Sequence, residues 1–252
     1  MATVVRDPRL RQRKAEVARA AGRRRLRVLL GVLGLVVAVV GALVVAHSPL
    51  FAVRKVIILG AHHESRAEIL SVTGLGAAPP LIDVNASVDA RAIERLPFVA
   101  SARVEPHFPS SVTVIVRERV ALATVRVGQR VALIDARGRV LALSASAPAD
   151  LVALSGIGAV PPPGHRLPPS DTAMLRAASA LPLSLLGRVA SIGLAKNQGV
   201  VLHLLDGPLV ELGTASALRE KMVSLATVLA RVSLHGVAKI DLRVPGSPVL
   251  TP

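Results

Sequence analysis

A few groups of residues in this 252-residue chain combine types that can do chemistry. His62-His63-Glu64 offers two imidazoles and a carboxylate, a donor set suited to a transition metal. Adjacent histidines on an extended or turn segment point apart, however, and no third ligand stands at a recognisable spacing. A solvated loop is the simpler reading. Ser155-Gly156-Ile157-Gly158 places a hydroxyl among glycines but lacks the G-x-S-x-G elbow that presents a nucleophile, and no clear helix follows to receive a phosphate. Asp83, Asp89, Asp135 and Asp241 are scattered among caps, turns and strand faces, with no spacing that sets two on one face for acid and base work. The chain has no cysteine, which removes disulfides and thiolate metal sites. The expectation is a protein that is not an enzyme, with no cofactor, no metal and no small-molecule substrate. The alternative is a membrane-tethered or exported hydrolase whose site is assembled from distant residues.

The net charge of +15 would suit a nucleic-acid binder, but it is unevenly placed. The first 27 residues hold ten basic side chains, among them the run Arg23-Arg24-Arg25-x-Arg27, against Asp7 and Glu16. The tail therefore carries +8, and the remaining +7 is spread without a long basic stripe. No nucleic-acid partner is expected. The uncharged run from Val28 to Ala46 follows directly, and as a helix it spans about 28 Å, the thickness of a hydrocarbon core. It is longer than the apolar region of a cleaved signal peptide and more hydrophobic than a twin-arginine signal, so it is expected to remain as an anchor. Basic residues before the span and few after it place the N-terminus in the cytoplasm.

Beyond Ser48-Pro49, the β-branched stretch Val53 to Leu59 reads as a strand stopped by Gly60. Ser65 stands three residues before Glu68, the spacing of a capping box, and opens a helix to about Thr73. Val88, Ala92, Ile93 and Leu96 share a second helical face, with Asn85 or Ser87 as cap and Pro97 forcing the exit. Val99 to Glu105 and the alternating Val112, Val114 and Val116 give two more strands around a turn at Pro106 to Ser110. The order is strand, helix, helix, strand, strand.

After Val120 the chain changes style. Leu133 to Leu141 reads as a hairpin, Asp171 to Leu181 as a helix, and Val189 to Leu194, Val200 to Leu205 and Pro208 to Leu212 as strands, the last two joined through Asp206-Gly207. Leu218, Met222, Leu225, Leu229 and Val232 form the stripe of an amphipathic helix that ends by Gly236. Ala238, Ile240, Leu242 and Val244 alternate with Lys239, Asp241 and Arg243 up to Pro245, a half-buried strand expected at the sheet edge, where it could accept a strand from a partner.

Phe51-x-Val53 leading to Ile58-x-Gly60, Leu96-Pro97-Phe98-Val99, Ala102-x-Val104, Phe108-Pro109 and Val116-x-Glu118-Arg119 together resemble a POTRA domain, the β-α-α-β-β module found beside bacterial membranes. More narrowly the chain resembles the FtsQ/DivIB family of cell-division proteins. Asp206-Gly207, Leu212-Gly213, Lys221 and Ile240-Asp241-Leu242-Arg243-Val244-Pro245 are similar to landmarks of that family's β domain. Phe108, Pro97 and Gly60 are expected to hold turns and core rather than to touch partners. The expected fold class is α+β: a basic cytoplasmic tail over 1–27, a single transmembrane helix over 28–47, a POTRA domain over 51–119, a mainly antiparallel β domain with covering helices over 120–245, and a C-terminal tail over 246–252.

The resemblance implies a bitopic scaffold of the division machinery, in the cell membrane at the septum with its domains extracytoplasmic. It would link early and late division proteins through the POTRA domain and an edge strand of the β domain. The implied partners are FtsB/DivIC-like, FtsL-like and FtsW/FtsI-like membrane proteins, with Ile240, Asp241, Leu242, Arg243 and Val244 as the partner-binding strand.

Overall fold

The computed structural model describes Arg27, residues 29–205 and residues 207–252. The basic tail before Arg27, Val28 at the start of the expected span, and Asp206 of the expected hairpin turn lie outside the described residues. Leu29–Ala46 forms helix α1, with a mean hydropathy of 2.9 and none of its residues buried among the described residues. Eighteen helical residues rise about 27 Å, so α1 is long and apolar enough to cross a bilayer.

The chain then forms two compact units. One contains the segment ending at Ile57 together with Gly74–Asn85 and Glu105–Thr113. Here the chain leaves α1 through a single 3-10 turn at Pro49–Phe51. Ala52 bridges to Pro80, the Val53 amide donates to the Pro79 carbonyl at 2.9 Å, and the Arg54 amide donates to Ser110 at 2.8 Å. The loop through Pro79-Pro80 ends in another short 3-10 turn at Leu81–Asp83. Among the described residues of this unit, Val53, Leu75, Leu81 and Val112 are buried.

The second unit contains residues 58–73, 86–104 and 114–252. Helix α2 (Arg66–Thr73) opens as Ser65 and Glu68 dictate: the Ser65 amide donates to the Glu68 carboxylate at 2.9 Å, and the Glu68 amide donates to Ser65 Oγ at 3.1 Å. Helix α3 (Ala86–Ile93) packs against it and begins one residue after Asn85. Leu96, expected on the same helical face, lies beyond its end. Strands β1 (Lys55–Leu59), β2 (Val99–His107) and β3 (Ser111–Glu118) form a sheet in the order β1-β3-β2. Gly60 has φ +78°, and a Cβ there would run into the Val116 carbonyl, so the strand stop also requires glycine for close approach. Phe108, which belongs to the first unit, sits in the β2–β3 turn but is 72% exposed and contributes nothing to a core.

A nine-stranded sheet occupies the rest: β4 (Ala121–Val127), β5 (Arg130–Asp135), β6 (Val140–Ser144), β7 (Val152–Leu154), β8 (Val189–Leu194), β9 (Val200–Leu204), β10 (Leu209–Gly213), β11 (Lys239–Asp241) and β12 (Val249–Thr251). Their order is β12-β11-β10-β9-β8-β7-β4-β5-β6. Hairpins give antiparallel pairs, whereas β4 with β7, β7 with β8, and β10 with β11 are parallel. The last two of these parallel pairs are joined by helical crossovers: α4 (Thr172–Ala180) and α5 (Leu183–Leu186) before β8, and α6 (Leu218–Arg231) before β11. Four members of the expected α6 stripe, Leu218, Met222, Leu225 and Leu229, are buried in the common core. The fifth, Val232, lies past the helix end and is 40% exposed.

Within the second unit, one carboxylate joins the β3 end to the nine-stranded sheet. Asp135 Oδ2 takes Arg119 Nη1 at 2.8 Å, with the two side chains only 6% and 11% exposed, and Arg119 Nε also donates to the Val99 carbonyl. Asp135 Oδ1 accepts the amides of Arg137 and Arg139. Arg139 Nη2 in turn donates to the Arg95 and Leu96 carbonyls just past α3, at 2.7 and 3.1 Å. Removing one partner of a buried ion pair strands the other charge. Asp135→Ala should therefore cost about 3–5 kcal/mol in denaturant unfolding, and replacing Arg119 and Asp135 together by apolar residues should cost less than the sum of the single changes.

Candidate functional site

The alternating run 238–244 forms a shorter strand than expected, and one place further in. Strand β11 pairs with β10 on one side, Val210 opposite Ile240, and with β12 on the other, Leu250 opposite Ile240. The edge position expected for residues 240–244 is thus corrected: the edge strand is Val249–Thr251, within the stretch expected as a tail. Pro245-Gly246-Ser247-Pro248 turns the chain back, with Gly246 at φ +75° and its amide donating to Ser224 Oγ on α6 at 3.2 Å. The signal that pointed to it was small: a proline-glycine turn followed by three residues of which two favour strands.

The structure separates the five residues expected to contact a partner. Ile240 and Leu242 are fully buried, sharing the core with Val210, Leu212 and Leu225, so their side chains cannot meet a partner. The Leu242 amide donates to the Glu211 carbonyl at 2.8 Å, extending the β10 contact past the strand end. Asp241, Arg243 and Val244 remain reachable. The Asp241 carboxylate takes Arg243 Nε and Nη2 at 2.9 and 2.7 Å, and these bonds hold its pKa below the usual carboxylate range. Lys239 reaches Glu211 on the neighbouring strand at 3.2 Å, a part-buried pair.

Lys221 and Gly213 shape the end of β10, two strands in from this edge. Lys221 is 1% exposed inside the α6 stripe, and its Nζ donates to the carbonyls of Leu212 at 2.7 Å and Thr214 at 3.0 Å. Burial pushes its pKa down. The ammonium closes off the carbonyls at the end of β10, where Gly213 turns with φ +66° and lies against the Arg243 stem; a Cβ there would stand 2.8 Å from Arg243 Cγ. In front of this braced layer, all three residues of β12 are exposed. Pro248 and Pro252 flank them and carry no N–H, so the strand presents a short window of backbone donors and acceptors.

The other groups singled out from the sequence have structural partners. The His62 and His63 amides donate to Glu118 Oε1 at 2.7 and 2.8 Å, and His63 Nδ1 lies 2.7 Å from Oε2 while its ring stacks on Phe98 with centroids 4.4 Å apart. Glu64 turns the other way, accepts the Phe98 amide, and has its pKa raised by burial. No three metal-ligating side chains converge among the described residues. Ser155 Oγ donates to the Ile192 carbonyl and accepts from Ser191 Oγ, neither of them a base.

Residues 51–119 match the model for the FtsQ-type POTRA domain, and residues 123–243 match that for the C-terminal region of cell division protein FtsQ/DivIB. The chain belongs to the FtsQ/DivIB family. Among its relatives, cell division protein FtsQ of Mycobacterium bovis is 28% identical over 209 residues, covering 82% of this chain and 65% of that one. FtsQ of Mycolicibacterium smegmatis is 29% identical over 196 residues, covering 78% and 57%. The chain thus spans just under two thirds of the length of the first of these FtsQ proteins. The solved extracytoplasmic domain of DivIB from Geobacillus stearothermophilus overlaps 46% of this chain and 98% of its own, at 22% identity and a TM-score of 0.33. The family is one of cell-division proteins, and this member carries an N-terminal helix long and apolar enough to cross a membrane.

Two measurements check the buried Lys221 and the Glu118 carboxylate. Lys221→Ala removes the ammonium from the buried Leu212 carbonyl and leaves a void in the stripe, and should lower stability by about 2–4 kcal/mol in denaturant unfolding. Burial raises the Glu118 pKa, but the bonds from His63 and the amides of His62, His63 and Glu64 outweigh it and pull the carboxyl to about 2. A depressed acid stabilises the fold above its unfolded value of 4.5 and loses that contribution as pH falls towards 2. Between pH 5 and 2, Glu118→Gln should therefore show a shallower loss of stability than the parent protein in thermal melts.

Proposed function

We propose that this protein is a non-enzymatic bitopic scaffold of the division machinery that captures an FtsB/DivIC-like membrane protein by adding a partner strand to β12. What supports the reading is one observation: the nine-stranded sheet ends on an exposed three-residue strand whose support is fixed by Lys221, Ser224 and the buried side chains of Ile240 and Leu242. Backbone pairing gives such contacts their affinity, and side chains beside the edge select the partner. Asp241, Arg243 and Val244 keep a role as flanking selectors, while Ile240 and Leu242 act as foundation. The proline on each side of β12 limits the added pairing to a few hydrogen bonds, so side-chain contacts must supply much of the selectivity.

In this reading α1 spans the membrane with the basic tail in the cytoplasm, and the domains following it stand outside, at the septum. The domains are those matched to the POTRA and β models: the POTRA domain engages other division proteins, among them FtsL-like and FtsW/FtsI-like ones, while β12 takes the FtsB/DivIC-like partner. No turnover and no cofactor enter this role.

The test uses the full chain in detergent micelles and the ectodomain of the host's FtsB/DivIC-like protein. Leu250→Pro removes a donor at the centre of β12 and should weaken binding at least tenfold with little change in melting temperature, whereas Leu183→Ser, on the exposed α5, should bind as the parent does. Equal binding by Leu250→Pro and the parent would remove β12 from the interface. Leu242→Pro is the wrong probe, because it breaks the bond to Glu211 and disrupts the core.

A further inference from the structure

The membrane-proximal end of the first compact unit exposes large apolar side chains that the fold has no need to expose. Leu50 is 67% exposed on the 3-10 turn that begins three residues after α1. Ile82 is 48% exposed, and its neighbour Asp83 lies 3.3 Å from His47 Nε2, one residue past the span. Phe108, one of only three phenylalanines in the chain, is 72% exposed at the tip of the β2–β3 turn. That turn is also tied to the emerging chain, because Ser110 accepts the amides of Arg54 and Lys55 at 2.8 and 3.2 Å. Arg54 Nη2 reaches back to the Pro49 carbonyl at 3.2 Å. Three separate stretches of sequence thus deliver Leu50, Ile82 and Phe108 to the place where the chain leaves α1, and the exposed cations Arg54 and Lys55 stand among them.

We infer that this surface is a lipid-contacting collar, seated on the anionic headgroup and upper acyl region of the bilayer that α1 crosses. The inference rests on α1 being a membrane span. Leu50 stands four residues beyond the end of that helix, and the bonds above tie the Ile82 and Phe108 stretches to the same emerging segment. An aromatic and two aliphatic side chains beside two cations match the boundary between acyl chains and anionic headgroups, where apolar area is buried while charge stays hydrated. In water the same side chains would form an unfavourable exposed cluster. The Ala52–Pro80 bridge, the Val53–Pro79 bond and the His47–Asp83 pair hold the collar to the helix end, so contact with lipid fixes how this unit stands on the membrane instead of leaving it to swing on a tether.

Because the chain has no cysteine, single-cysteine spin labels report cleanly. The full-length protein would be reconstituted in vesicles of phosphatidylethanolamine and phosphatidylglycerol with labels at Leu50→Cys, Ile82→Cys or Phe108→Cys, and with references at Val36→Cys in α1 and Leu183→Cys on α5. The collar labels should show a ratio of oxygen to water-soluble nickel accessibility several-fold above that at position 183 and approaching that at position 36. Collar labels that behave like position 183, while position 36 is lipid-exposed, would overturn the collar and leave the anchor standing. A water-exposed position 36 would overturn both. Replacing phosphatidylglycerol by phosphatidylcholine should lower the ratio at position 108, and no change would overturn the part assigned to Arg54 and Lys55.

Discussion

The buried Asp135 carboxylate is the constraint on which the second unit is organised. It neutralises Arg119 at the end of β3, orders the tight turn before β6 through the Arg137 and Arg139 amides, and by fixing Arg139 delivers a guanidinium to the carbonyls left open past α3. A charge this deeply buried is tolerable only when every oxygen is occupied. The arrangement therefore allows one relation between the β3 end, the α3 exit and the β5–β6 hairpin. The Asp135-x-x-Gly138 turn, which in isolation is an ordinary hairpin signal, acquires its importance from a residue sixteen positions earlier in the chain.

Much of the architecture was legible because local and long-range demands coincide. The Ser65–Glu68 capping box, the glycine stop at Gly60, the alternating β3 residues and the α6 stripe each state their structure within a few residues, and the family resemblance followed from their order. Strands β4 and β7 were not legible. Ala121–Val127 follows β3 with no turn-forming residue to divide them, and Val152–Leu154 is too short to show a period; both are strands because of distant neighbours.

The candidate site was half legible for the same reason. The alternation of Ile240 and Leu242 with charged residues correctly marks a half-buried strand but carries no information about what lies on its far side. Placement at the edge depended on whether Val249–Thr251 returns along β11, and that is decided by the Gly246 turn and its bond to Ser224, twenty-two residues away. Lys221 shows the opposite failure: its type signals a surface residue, and only the Leu212 and Thr214 carbonyls it meets at the β10 end explain why a charge is buried there.

The order of the nine-stranded sheet also bears on how it carries load. Strands β4, β5 and β6 make one antiparallel leaf, β8, β9 and β10 another, and the three-residue β7 is the seam, with three residue pairs to one leaf and two to the other. In the proposed role, with a membrane at one end and a partner at the sheet edge, tension would cross that seam whenever the two anchors move apart. Backbone bonds at β7 are too few to resist alone. Helix α4 packs on both β4 and β8, and Met174, Leu175, Ala177 and Ala178 seat it in the core common to both leaves. It acts as a splint, transferring tension from one leaf to the other through packed side chains, so a weakly paired strand need not be the point of mechanical failure.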